Sequence, residues 1–472
     1  MRRGLFVLPG FALVLCAAMA ASAPSGGQRR FGGQQRPAQT LTSACSNRVP
    51  VCVHIGADVP DDAGEHVLAT AEKALGEYLA LGLPHPVNDA MRGGSSAWDV
   101  YILAENVYAS SAPNMYTSPA DVYTNLSGEP VEKADFGYGV TLTDPETEPR
   151  AFDGSAAFTL MPAPATRGCD LDFAIAKHAA KATLLGFDGG AERVLLDASA
   201  SYLAWMLFPC TAVTQPAVDA FQAEPHKGFV LPAKGGAHGA FLFPMYLEEN
   251  EGSGDPAKLT ASLFAIASQR SAPSPFWQNE PDLLDALRSS LTFRRASLED
   301  VLLDFAVDRA FVGDRSDGQH LAATDVYAKA GRVFFEWSVP YNSLPRRLAP
   351  AHPLLPTGAT YLWLDLATAP KDSEVTFVAD WELPAVFRWS LVKVDKQGAE
   401  TGRIDIAGVF GTNHVERTVV LREDLAGMIV VGTFTGSLDR SLPFDPDEGP
   451  FMPHSYEVTL YGPVPTVGDP KQ

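Results

Sequence analysis

Lys177, His178 and Lys181 fall within a single run, Lys177-His178-Ala179-Ala180-Lys181. The stretch around it, 172–187, has a helical pattern, so the spacing of four puts both ammonium groups on one helix face with the imidazole beside them. An acid, Asp197, follows in a second helical stretch, within Leu196-Asp197-Ala198-Ser199-Ala200. Ammonium and carboxylate can join two helices through a charge-assisted hydrogen bond. Imidazole can exchange protons near neutral pH, although flanking lysines oppose its protonation by like-charge repulsion. Metal binding is disfavoured, because a protonated amine offers no lone pair. The ordinary alternative is an amphipathic helix whose lysines snorkel to solvent and whose histidine is structural.

The elements that must position these groups follow from periodicity. Strand-like runs at 50–55 and 97–103 flank a helical run at 63–81, and further strands are predicted at 137–142 and 156–161. From residue 172 to about 310 the pattern is helical, with candidates at 191–208, 239–249, 256–268, 280–291 and 297–308. Beyond His320 come short strand-like runs at 333–337, 361–365, 375–378, 387–394, 403–406, 417–421, 428–431 and 456–460, with Asp395-Lys396-Gln397-Gly398 as a hairpin connection. Strands first and helices afterwards predict an α+β fold, and the later runs predict a C-terminal all-β sandwich or jelly roll.

Residues 1–20 read as a signal peptide: Arg2 and Arg3 form the basic region and an apolar segment follows, too short for a membrane span. A secreted or periplasmic protein is therefore expected, with no transmembrane segment. Residues 21–44, rich in Gly, Gln, Arg, Pro and Ser, are expected to form a disordered linker. The α+β domain is placed at 45–318 and the sandwich at 321–466. Outside the signal, Cys45, Cys52, Cys169 and Cys210 form an even set suited to an oxidising compartment. Sequence proximity favours Cys45 with Cys52, leaving Cys169 with Cys210. The net charge of −20 argues against nucleic acid or anionic membranes as partners.

In its spacing the 177–181 run resembles the H-E-x-x-H helix of zinc peptidases, in which two histidines one turn apart hold the metal and the glutamate between them is the base. Lys177 and Lys181 stand at the ligand positions and His178 at the base position. Asp197 stands where gluzincin-type peptidases carry a glutamate followed by small residues. Gly236-Ala237-His238-Gly239-Ala240-Phe241-Leu242-Phe243, with Tyr246-Leu247, resembles the helix beneath the site in secreted bacterial metallopeptidases that have a β-sandwich tail. The resemblance runs from about Val51 to the C-terminus. It implies a zincin-like domain, a small sheet followed by helices, whose zinc site is degenerate. No catalytic residue, zinc or cofactor is expected at those positions.

The remaining chemistry is weaker. His414, His454 and Asp445-Pro446-Asp447-Glu448 could be assembled into a calcium site, but the segment lacks regularly spaced ligands. There is no G-x-S-x-G and no phosphate-binding glycine loop. The functional expectation is a secreted, metallopeptidase-like pseudoenzyme with a binding or structural role, its partner an extracellular protein or glycan. One alternative is an active secreted hydrolase, using zinc on His178, Asp197 and His238 or a metal-free mechanism. The other is a cell-surface adhesion or carbohydrate-binding protein using exposed Trp and Tyr.

Overall fold

The computed structural model describes residues 29–30, 42–57, 59–104, 140–143, 150–164, 167–229, 239–274, 276–277, 280–294, 296–408, 411–421, 424–438 and 451–462. The first sheet contains β1 (Thr42–Cys45), β2 (Val51–Ile55), β3 (Trp98–Leu103), β4 (Val140–Thr143) and β5 (Ala157–Pro162), in the order β1-β2-β3-β5-β4. β2, β3 and β5 are parallel, and each edge strand is antiparallel to its neighbour. β2 and β3 are buried along their whole length, which accounts for their near-continuous apolar sequences. Order reaches into the segment read as linker: β1 starts at Thr42, and Arg29–Arg30 pairs antiparallel with Phe276–Trp277.

Helix α1 (Asp61–Ala80) packs on one face of this sheet and against α2 (Cys169–Leu185). His66 and Thr70 of α1 bond Asp172 of α2 at 2.8 and 3.2 Å, and the Tyr78 hydroxyl donates to the Ala176 carbonyl at 3.0 Å. Asp170 and Asp172 lie in the first turn of α2, where the helix dipole favours negative charge. α3 (Arg193–Leu207) starts at Glu192, whose carboxylate accepts from the Val194 and Leu195 amides and caps the helix. Then follow α4 (Thr211–Ala223), α5 (Leu242–Asn250), α6 (Lys258–Ala267), α7 (Leu283–Arg294) and α8 (Leu298–Arg309). α4 is absent from the sequence-based reading because Pro216 interrupts its pattern. Gly239 is required where it stands, since a Cβ there would lie 2.0 Å from the Ala217 carbonyl oxygen.

The C-terminal region is two sheets packed face to face. One comprises β6 (Trp337–Pro340), β8 (Ala359–Asp365), β13 (Leu425–Ser437), β10 (Ala385–Asp395) and β11 (Glu400–Ala407), in that spatial order. The other comprises β7 (Arg346–Leu348), β14 (Tyr456–Tyr461), β9 (Glu374–Trp381) and β12 (His414–Val420). Trp389 of the first packs on Phe377 and Tyr456 of the second, with ring centroids 5.4 and 5.6 Å apart. The expected strand at 333–337 is instead β6, displaced toward Pro340: Val333 is buried under α8 rather than paired in the sheet. The mixed α+β class is as expected, and Cys45–Cys52 and Cys169–Cys210 are the two disulfides.

The two regions are not separately cored. Leu303, Ala306, Val307, Ala310 and Phe311, from α8 and the turn after it, cluster with Tyr361, Val392, Val394, Ile429 and Val431 on the outer face of the five-stranded sheet. The Tyr361 hydroxyl donates to the Ala306 carbonyl at 2.8 Å. At the edge of this seam, His320 stacks on Phe311 with centroids 4.3 Å apart. Its Nδ1 lies 3.0 Å from Asp317 and its Nε2 3.0 Å from Glu400 of β11 and 4.0 Å from Asp308 of α8. Arg403 of β11 adds an ion pair to Asp304 of α8 at 2.8 Å.

Burial alone would lower the pKa of His320, but Glu400 and Asp317 more than reverse it, to about 9. Burial raises Asp308 to about 7, against the opposing pull of His320 and Arg403. Because the folded pKa of His320 is raised, its contribution to stability is complete below about pH 6.5, the ordinary histidine value, and is lost as pH climbs through 9. The Asp308 carboxyl is also raised, so its contribution falls between the ordinary carboxylate range and about pH 7. The thermal unfolding midpoint should therefore fall from pH 6.5 to 9.5, and His320→Gln should flatten that decline; identical slopes in the two proteins would refute the stabilising role of His320.

Candidate functional site

The helix pair α2–α3 brings two of the sequence-selected residues together. Lys181 Nζ lies 2.5 Å from Asp197 Oδ1, with the side chains 8 % and 1 % exposed. Lys177, one turn earlier on α2, is fully buried. The snorkelling alternative therefore does not hold, because α2 is buried on all sides from Phe173 to Leu185. A lysine enclosed in this way needs an anionic or polar partner, and Asp197 from the next helix supplies it to Lys181.

His178 points the other way, into the first sheet. Its Nδ1 is 2.7 Å from the Thr141 hydroxyl of β4, which is 2.7 Å from Thr159 of β5. The indole of Trp98 on β3 donates to the Thr159 hydroxyl at 3.2 Å. His178 thus joins a hydrogen-bonded relay running across three strands, and with Ile175, Val100 and Met161 it lines a small cavity. His238 and the Asp445–Glu448 segment lie outside the described residues. Among the described residues, no group of three or more His, Cys, Asp or Glu side chains is arranged to hold a metal.

The two histidines expected near calcium are in separate places. His414 is exposed and pairs across β12–β9 with Asp380 at 2.8 Å, whereas His454 packs edge-on to Phe434. Among aromatics of the C-terminal sheets, Trp381 and Trp389 are buried and Tyr461 is exposed. The tryptophans that could have stacked on a sugar are thus largely spent on the core.

A further polar group, on the opposite face of the first sheet from α1, was not singled out from the sequence. Ser43 of β1 faces His54 of β2 in register, with Oγ 2.8 Å from Nδ1. The Nε2 of His54 lies 2.9 Å from Asp99 Oδ1 on β3. The rings of Tyr101 and His54 stack, 4.5 Å apart and 13° from parallel. His54 is 5 % and Asp99 0 % exposed, while Ser43 is exposed. The signal was present: His54 and Asp99 are the ionisable residues within otherwise apolar strands, where a charge requires a partner.

The chain matches no described protein family and no curated protein. Solved structures similar to parts of it include the pre-peptidase C-terminal domain of collagenase from Bacillus anthracis, at 12% identity and a TM-score of 0.16, covering 27% of this chain and 96% of that one. Another is the VP2 subviral particle of infectious bursal disease virus, at 6% identity and a TM-score of 0.15, covering 25% of this chain and 30% of that one. Likeness at that level carries no functional argument. Among the described residues, no helix is long and apolar enough to cross a membrane.

Proposed function

We propose that this chain is an exported, metallopeptidase-like protein whose helix pair has lost zinc catalysis and now serves a structural or binding role. The observation that carries the reading is the enclosed Lys181–Asp197 pair. In the peptidase arrangement that the sequence resembles, a cation joins the ligand helix to an acid on the following helix. Here the cation is a lysine of the chain itself, and it engages the acid directly. An ammonium group so placed repels a divalent metal and contributes no lone pair. The two disulfides fit an oxidising compartment, in keeping with export.

The test is elemental analysis of the purified protein after dialysis, together with a casein-cleavage assay. Less than a tenth of an equivalent of zinc per chain and no metal-dependent cleavage are expected. One equivalent of retained zinc, or cleavage abolished by a chelator, would overturn the reading.

A further inference from the structure

We propose that Ser43 is a nucleophile, activated by His54 and Asp99, that attacks carboxylic esters. This chemistry needs no metal and owes nothing to the α2–α3 pair, so it goes beyond the function proposed above.

The geometry assigns each role. A serine hydroxyl becomes nucleophilic when a base lies within hydrogen-bond reach and a third group orients that base. Ser43 Oγ is 2.8 Å from one ring nitrogen of His54, and Asp99 takes the other at 2.9 Å. With the Nε2 proton donated to Asp99, the Nδ1 lone pair faces the hydroxyl. The stacked ring of Tyr101 fixes the plane of the imidazole, and the Tyr101 hydroxyl reaches Asp99 Oδ2 at 3.4 Å. The ends of the relay differ in exposure as the chemistry requires: the acid and base are enclosed, and the nucleophile is open to solvent.

The position of Ser43 is itself held covalently. Cys45 and Cys52 are register partners on β1 and β2, as are Ser43 and His54 one pleat further on. Their disulfide therefore fastens an edge strand that would otherwise depend on its ladder alone, and keeps the hydroxyl opposite the imidazole.

In the reaction, Ser43 Oγ forms a bond to the acyl carbon while its proton passes to His54 Nδ1. The ester C–O bond breaks, and the departing alcohol takes that proton. Water then attacks the acyl-serine, gives a proton to His54 and releases the acid, and the proton returns to Ser43 Oγ. Esters are the substrate class because alcohols leave more readily than amines and so ask least of the site.

The full chain should be treated with a fluorophosphonate probe and mapped by peptide mass spectrometry. Label is expected at Ser43 ahead of other serines. Hydrolysis of p-nitrophenyl acetate should disappear in Ser43→Ala while the protein stays folded, its circular dichroism matching the parent. Asp99→Asn should slow labelling by about a hundredfold or more, provided its circular dichroism matches the parent. Absence of label on Ser43 under conditions that saturate a known serine esterase would overturn the proposal, as would a Ser43→Ala protein that hydrolyses the ester at the parent rate. Either failure leaves the zinc analysis unaffected.

Discussion

Replacing Asp197 with Ala should destabilise the protein by about 3–5 kcal/mol, because it takes the carboxylate away from the Lys181 ammonium in a site 8 % exposed. The cost comes from the desolvated charge left behind more than from the lost contact. Replacing both members of the pair by apolar residues of similar volume, Lys181→Met with Asp197→Leu, removes that charge and should be far milder. The order of the two midpoints in urea is the measurement. If the double variant unfolds earlier than Asp197→Ala, the pair is not a desolvated ion pair of the kind described.

The second large effect concerns where the C-terminal region can be cut. A fragment from Leu321 onward removes α8 and the turn after it, and so bares the sheet face under Leu303, Val307 and Phe311. Burying side chains of this size is worth about 1.5–3 kcal/mol each, so three of them amount to much of a small domain's net stability. The fragment from Leu321 should bind a hydrophobic dye and lack a cooperative transition. One starting at Ser297 keeps the helix, with its Ser297 cap to the Asp300 amide at 3.1 Å, and should unfold cooperatively. Equal behaviour of the two fragments would show that α8 is dispensable.

That seam was also where sequence reading stopped. Helix α8 was legible at 297–308, and so were most of the strands it covers, because each is a local pattern of period 3.6 or 2. Their contact links Val307 to Ile429 and cannot be read from either pattern alone. His320 could mark a change of periodicity, while its partner Glu400 lies on a strand far along the chain. The Lys181–Asp197 pair was legible because helical spacing limits where a side chain can point and the acid comes from the next element. Ser43, His54 and Asp99 were missed for the opposite reason. β2 is buried on both faces, so no alternation sets His54 apart, and only strand register brings the three together.

The Cys169–Cys210 bond joins the first residue of α2 to the residue preceding α4, so Lys181 and Asp197 lie inside one covalent ring with a sequence separation of 41. Within such a ring the carboxylate is held near the ammonium at an effective concentration set by loop length, even when the helices come apart. Breaking the ion pair in the oxidised chain is thus a local loss that the ring can reverse. In the reduced chain the same loss releases two free helices, whose reunion must again meet the full entropy of closing the loop. The redox state of the compartment then governs how well this helix pair tolerates damage.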